Sequence, residues 1–154
     1  MKEVRPDEAL ADQEFGSGLR TGPLLGGMAV GIVLSFEGSP KAGQPRSDKF
    51  LAHLTEGHMK ETFESLQEQV EEARRRHHVR SIEVWLCYRN PASLWDDDDM
   101  IWNSQMLYGE CELIEGIIEK TKALSTFVQL HSYHVLQKTD MCVTEEGKIR
   151  IRRL

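Results

Sequence analysis

The stretch "GMAVGIVLSFEG" constrains this chain more than any other. Met28, Val30, Ile32, Leu34 and Phe36 recur at every second position, which puts them on one face of an extended chain. Ala29 and Val33 are small or apolar on the opposite face. A strand that is apolar on both sides must be covered on both, so it belongs at the centre of a sheet.

A second strand is read in "VRSIEVWLCYRN". Ile82, Val84, Leu86 and Tyr88 share one face; Glu83, Trp85, Cys87 and Arg89 share the other. Pro91 ends it. A third strand is expected in "STFVQLHSYHVLQ", with Phe127, His131, Tyr133 and Val135 opposite Val128, Leu130, His134 and Leu136. The chain closes on a hairpin, "MCVTEEGKIRIRRL", whose turn is "EEGK". There Ile149 and Ile151 point inward, and Lys148, Arg150 and Arg152 point outward.

Two amphipathic helices separate these strands. From Asp48 to His77 the apolar positions Leu51, Leu54, Met59, Phe63, Leu66, Val70 and Ala73 keep roughly helical spacing, with Ser47 as cap and Gly57 as a kink or break. "SQMLYGECELIEGIIEKTKAL" carries Leu107, Cys111, Ile114, Ile117 or Ile118, and Thr121 in helical register. The expected architecture is α/β (α+β as the alternative). It has one mixed sheet of about five strands in the order β-α-β-α-β-β-β and two main helices. Residues Met1 to Gly22 lack an apolar period, so they are read as a mobile, disordered N-terminal tail. Residues 23–154 are read as one α/β domain.

The composition bounds function. The chain has 154 residues, 40% hydrophobic and 29% charged, in the range of a folded globular protein. A formal charge of −6 argues against whole-molecule attraction to nucleic acid or an anionic membrane. Three separated cysteines, Cys87, Cys111 and Cys142, form no CxxC pair, so a disulfide framework or structural zinc is not expected. Reduced thiols, no signal-like N-terminus and no apolar run long enough to span a bilayer place the expectation in the cytoplasm or nucleus.

The most unusual segment is "NPASLWDDDDMIWNSQ". Asp96, Asp97, Asp98 and Asp99 sit between Trp95 and Trp102. Adjacent aspartates fan out, whereas a calcium loop spaces its carboxylates and bends at a glycine, so no metal is expected here. Negative charge just before a helix is stabilised by the dipole. The large rings either close the core beneath the loop or stand as interface anchors rimmed by acid.

His131 and His134 form HxxH, but on a strand odd spacing sends them to opposite faces, which disfavours a shared metal. His77 and His78 end a helix, where the dipole alone accounts for them. GxSxG, HExxH, GxxxxGK[ST] and GxGxxG are absent, so no catalytic residue or cofactor is expected. Arg74, Arg75, Arg76 and Arg80 form one basic cluster; Lys148, Arg150, Arg152 and Arg153 form another. If adjacent, they make a positive patch for phosphate groups or an acidic partner.

The expectation is a non-enzymatic protein-interaction module, an adaptor or subunit of an intracellular complex. Its interface residues are Trp95, Asp96 to Asp99, Trp102, Arg150 and Arg152. Phosphate or nucleic-acid binding through residues 74–80 and 148–153 is the alternative, and a small enzyme whose residues converge only in the fold is the second.

Overall fold

A computed structural model describes residues 1–12, 16–24, 27–36, 47–76, 78–89, 100–134 and 137–154, with the backbone alone for 100–110. Its strands are β1 (Lys2–Val4), β2 (Ala9–Asp12), β3 (Leu19–Thr21), β4 (Met28–Phe36), β5 (Ser47–Leu54), β6 (Val79–Arg89), β7 (Phe127–Tyr133), β8 (Thr139–Val143) and β9 (Ile149–Arg153). The helices are α1 (Met59–Arg76) and α2 (Met100–Leu124).

The expected α/β class holds, but there are two sheets where one was expected. One has five strands, β2-β5-β4-β6-β7, and the other four, β1-β3-β8-β9. The pattern of β4 explains the need for both. Met28, Val30, Ile32, Leu34 and Phe36 pack with Phe63, Leu66, Val70, Ile114 and Ile117 of the helices. Ala29 and Val33 pack with Val4, Leu19, Met141, Val143 and Ile149 of the four-stranded sheet. The layers are therefore helices, five-stranded sheet, four-stranded sheet. Each fully buried large aliphatic side chain contributes about 1.5–3 kcal/mol of transfer free energy. Gly31 lets the sheets approach: a Cβ there would lie 3.0 Å from Met141 Sδ and 3.4 Å from Ile149 Cγ2.

β5 and β6 flank β4 antiparallel to it, and β6 pairs parallel with β7 across the α2 crossover. The strand expected in "VRSIEVWLCYRN" is β6. Ile82, Val84 and Leu86 face the helices, and Trp85 and Cys87 face the other sheet.

Three expectations are corrected. The segment from Met1 to Gly22, read as a mobile tail, carries β1, β2 and β3, with Val4 and Leu19 fully buried. Strands of three or four residues are too short to show a period. The helix read from Asp48 to His77 is split. Ser47 opens β5 rather than capping a helix, and α1 begins only at Met59. β5 is buried at all eight positions, but four of them are polar, Ser47, Asp48, Lys49 and His53, so its sequence shows no apolar alternation. Gly57 separates the two with a left-handed φ of 83°. The third correction is the second sheet itself. The hairpin is β8–β9, with Gly147 at φ 82° in the turn; Ile149 is buried and Ile151 half-buried.

Candidate functional site

The loop "NPASLWDDDD", with Trp95 and Asp96 to Asp99, lies outside the described residues, as do His77, Val135 and Leu136. Trp102 falls within α2, where only the backbone is described. Among the described residues no cluster of three or more His, Cys, Asp or Glu side chains is placed to hold a metal ion.

The outer edge of β7 combines fixed ends with exposed apolar side chains. β7 ends the five-stranded sheet and pairs only with β6 among the described strands. Both ends are tied down. Thr126 Oγ1 accepts from the Ile82 N–H at 3.0 Å and donates to the Ile82 carbonyl at 3.1 Å. Tyr133 donates its hydroxyl to the Gly27 carbonyl at 2.6 Å. Between these ties, Phe127 is 50% exposed and Leu130 37% exposed. Odd spacing puts them on opposite faces of the strand. Leu113 of α2 is a further exposed apolar residue.

One face of this edge is aromatic. Trp85 of β6 stacks on His131 with ring centroids 5.2 Å apart and planes inclined by 15°. Trp85 Nε1 donates to Glu83 Oε1 at 2.7 Å. Phe127 lies opposite Glu83 in the parallel register, and Gln129 opposite Trp85. The four-stranded sheet packs over β4 and β5, which leaves Glu83 and Trp85 half-covered. His131 Nε2 is buried and finds no hydrogen-bond partner. Periodicity had placed Trp85 and His131 on strand faces, but their stacking depends on a parallel register that no local pattern encodes.

The two basic clusters lie in different layers. Arg74, Arg75 and Arg76 end α1 in the helix layer, and Arg80 is exposed at the start of β6. Arg150, Arg152 and Arg153 belong to β9 of the four-stranded sheet, and Lys148 directly precedes it. Arg74 to Arg76 and the β9 arginines are thus set on opposite sides of the five-stranded sheet. Two of these arginines already have partners: Arg74 pairs with Glu71 at 3.0 Å. Arg152 grips Asp140 through Nε to Oδ1 at 3.0 Å and Nη2 to Oδ2 at 2.8 Å. The hydrogen bonds and charge of Asp140 push the Arg152 guanidinium further up. Arg152 therefore holds a nearly buried carboxylate while its own side chain stays exposed. Arg150 is exposed, and with Arg20 of β3 it flanks Cys142 in register across the outer sheet face.

Sequence reading missed a buried charge cluster. Asp12, in the supposed tail, and Lys49, in the supposed helix, meet between the sheets. Lys49 Nζ lies 3.5 Å from Asp12 Oδ2 and donates to the Glu145 carbonyl at 2.8 Å. The Gly18 N–H donates to Asp12 Oδ2 at 2.8 Å, and Lys2 Nζ approaches Oδ1 at 3.7 Å. The cluster links β2 and β5 to the turn before β9 and the segment before β3, and leaving either charge buried without the other is costly.

The remaining chemical groups are quiet. All three cysteines are free thiols, and burial pushes the Cys87 thiol up to about 12. Burial also lowers His53, against the opposing pull of Asp7 and a hydrogen bond to the Val4 backbone. A concavity of ≈ 570 Å³ is lined by Glu64, Gln67, Glu68, Glu71, Glu72 and Arg75 of α1, away from every histidine and cysteine just described. No described helix is long and apolar enough to cross a membrane. No protein-family model matches the chain, and no curated protein matches its sequence.

Proposed function

We propose that this chain is a non-enzymatic protein-interaction module, an adaptor or subunit of a complex in the cytoplasm or nucleus, and that β7 is its principal contact. The carrying observation is the β7 edge, fixed at both ends, with Phe127 and Leu130 exposed. A sheet edge presents backbone donors and acceptors to an incoming strand, and side chains on alternate faces supply selectivity. An edge already held rigid loses little freedom on binding. The free, buried thiols Cys87 and Cys142 suit a reducing compartment.

The test is affinity purification of the tagged full chain beside its Phe127→Lys and Leu130→Lys double variant. Both side chains are substantially exposed, so the variant keeps its fold, checked by circular dichroism. Loss of co-purifying proteins from the variant supports the reading. An unchanged set of partners removes β7 from the interface.

A second reading, anion or nucleic-acid binding, draws on Arg20 and Arg150 either side of Cys142. Binding of a labelled polyanion that weakens steeply with salt, and loses that slope in Arg20→Glu with Arg150→Glu, would favour it.

A further inference from the structure

Among the described strands, four end the two sheets: β1 and β9 in one, β2 and β7 in the other. Natural edges resist stray pairing by being short, charged or covered. β1 has three residues, among them Lys2 and Glu3. β2 has four; Gln69 of α1 donates to its Ala9 carbonyl at 2.7 Å, and its Asp12 is held by Lys49. β9 carries Arg150, Arg152 and Arg153, so a copy laid beside it would bring arginines together. β7 reads "FVQLHSY": seven residues with no Lys, Arg, Asp, Glu or Pro. Among the described residues, none of the usual guards is found on the edge that also exposes Phe127 and Leu130.

We infer that β7 pairs antiparallel with β7 of a second copy of this chain, about a two-fold axis normal to the sheet. The inference rests on the reading of this edge as an interface and names its occupant. Neutrality makes the strand self-complementary, because no like charges meet when it faces itself. The symmetry also restricts the register. An axis normal to the sheet keeps each face on its own side, so paired residues must share a face. The axis then passes through a residue, and centring it on Leu130 pairs all seven positions. Leu130 meets Leu130 of the copy, Gln129 meets His131, Val128 meets Ser132, and Phe127 meets Tyr133. The two five-stranded sheets become one continuous sheet of ten, shown by adding the five strands of each copy.

The experiment uses the full chain with Cys111→Ser, which removes the half-buried thiol. Sedimentation equilibrium should give the mass of two copies, and Leu130→Lys should give one, since two ammonium groups then face each other at the axis. Leu130→Cys should form an interchain disulfide under mild oxidation, because directly opposed Cα atoms lie about 4.5–5.5 Å apart, inside the range a disulfide spans. Ser132→Cys should not, because each Ser132 faces Val128 and the two Ser132 positions are offset by four residues, about 14 Å. The cysteine readout is a gain of signal and does not depend on how well the lysine variant folds. Equal cross-linking at both positions overturns the register and the pairing. A single-copy mass, with cellular partners lost in Leu130→Lys, overturns the second copy but leaves the interface reading standing. A single-copy mass with partners retained overturns both.

Discussion

Lys49 and Asp12 form an ion pair between the sheets, Nζ to Oδ2 at 3.5 Å, with both side chains almost wholly removed from solvent. Removing one member strands the other. Asp12→Ala leaves the Lys49 ammonium with the Glu145 carbonyl and takes the acceptor from the Gly18 N–H. It should cost about 3–5 kcal/mol in urea unfolding. Combining it with Lys49→Met should cost clearly less than the sum of the two single changes, because no orphan charge remains.

The approach of the two sheets at Gly31 gives a second test. A side chain there must displace Met141 and Ile149, so Gly31→Val should destabilise by about 1–3 kcal/mol through overpacking. Gly57→Ala probes the backbone alone, since nothing lies within 4 Å of the added Cβ while φ is 83°. Its cost should be about 1–2 kcal/mol, the left-handed penalty of an L-residue. Denaturant midpoints of the two variants separate packing from conformation.

On the outer hairpin, sequence and structure divide. An alternating strand predicts that Arg150 and Arg152 are equivalent, and both are exposed. The fold makes them different because Arg152 alone reaches Asp140 with two hydrogen bonds. Arg150→Glu should change stability by less than about 0.5 kcal/mol. Arg152→Glu removes the partner of a nearly buried carboxylate and should cost about 1–3 kcal/mol. Equal effects would show that the Asp140 pair contributes nothing.

The pH dependence follows from His53 and Cys87. Burial lowers His53 below 6.5, so the unfolded chain binds the extra proton first. Stability is then full above about pH 6.5 and declines as pH falls through the folded value. Cys87 acts at the other end. Raised from 9.0 to about 12, it stays a thiol while the unfolded chain ionises, so stability is present below pH 9 and declines above it. His53→Leu should flatten the acid limb and Cys87→Ala the alkaline limb of melting temperature against pH. Native-state alkylation should reach Cys111 before Cys87.

β4 and β6 were legible because their two faces differ in residue type, and a period of two is a local signal. β5 was not, because its buried polar residues Asp48, Lys49 and His53 break any apolar period and leave Leu51 and Leu54 to mimic a helical stripe with Met59. The four-stranded sheet was hidden for another reason. Its contacts on β4 are Ala29, Gly31 and Val33, small groups whose partners come from opposite ends of the chain. The candidate edge was half legible: β7 could be read as a strand, but its place at the end of the sheet comes from the parallel β6 register. The tryptophan and aspartate loop lies outside the described residues.

Hydrogen–deuterium exchange across β7 tests the central claim most directly. The amides of residues 127–132 should exchange faster in the dilute, isolated chain than in its assembled form, with the largest change on the outward-facing positions. The amides of β4, paired on both sides, should stay equally protected in both. Unchanged exchange at β7 on assembly, with new protection appearing elsewhere on the surface, would contradict the assignment of this edge as the interface.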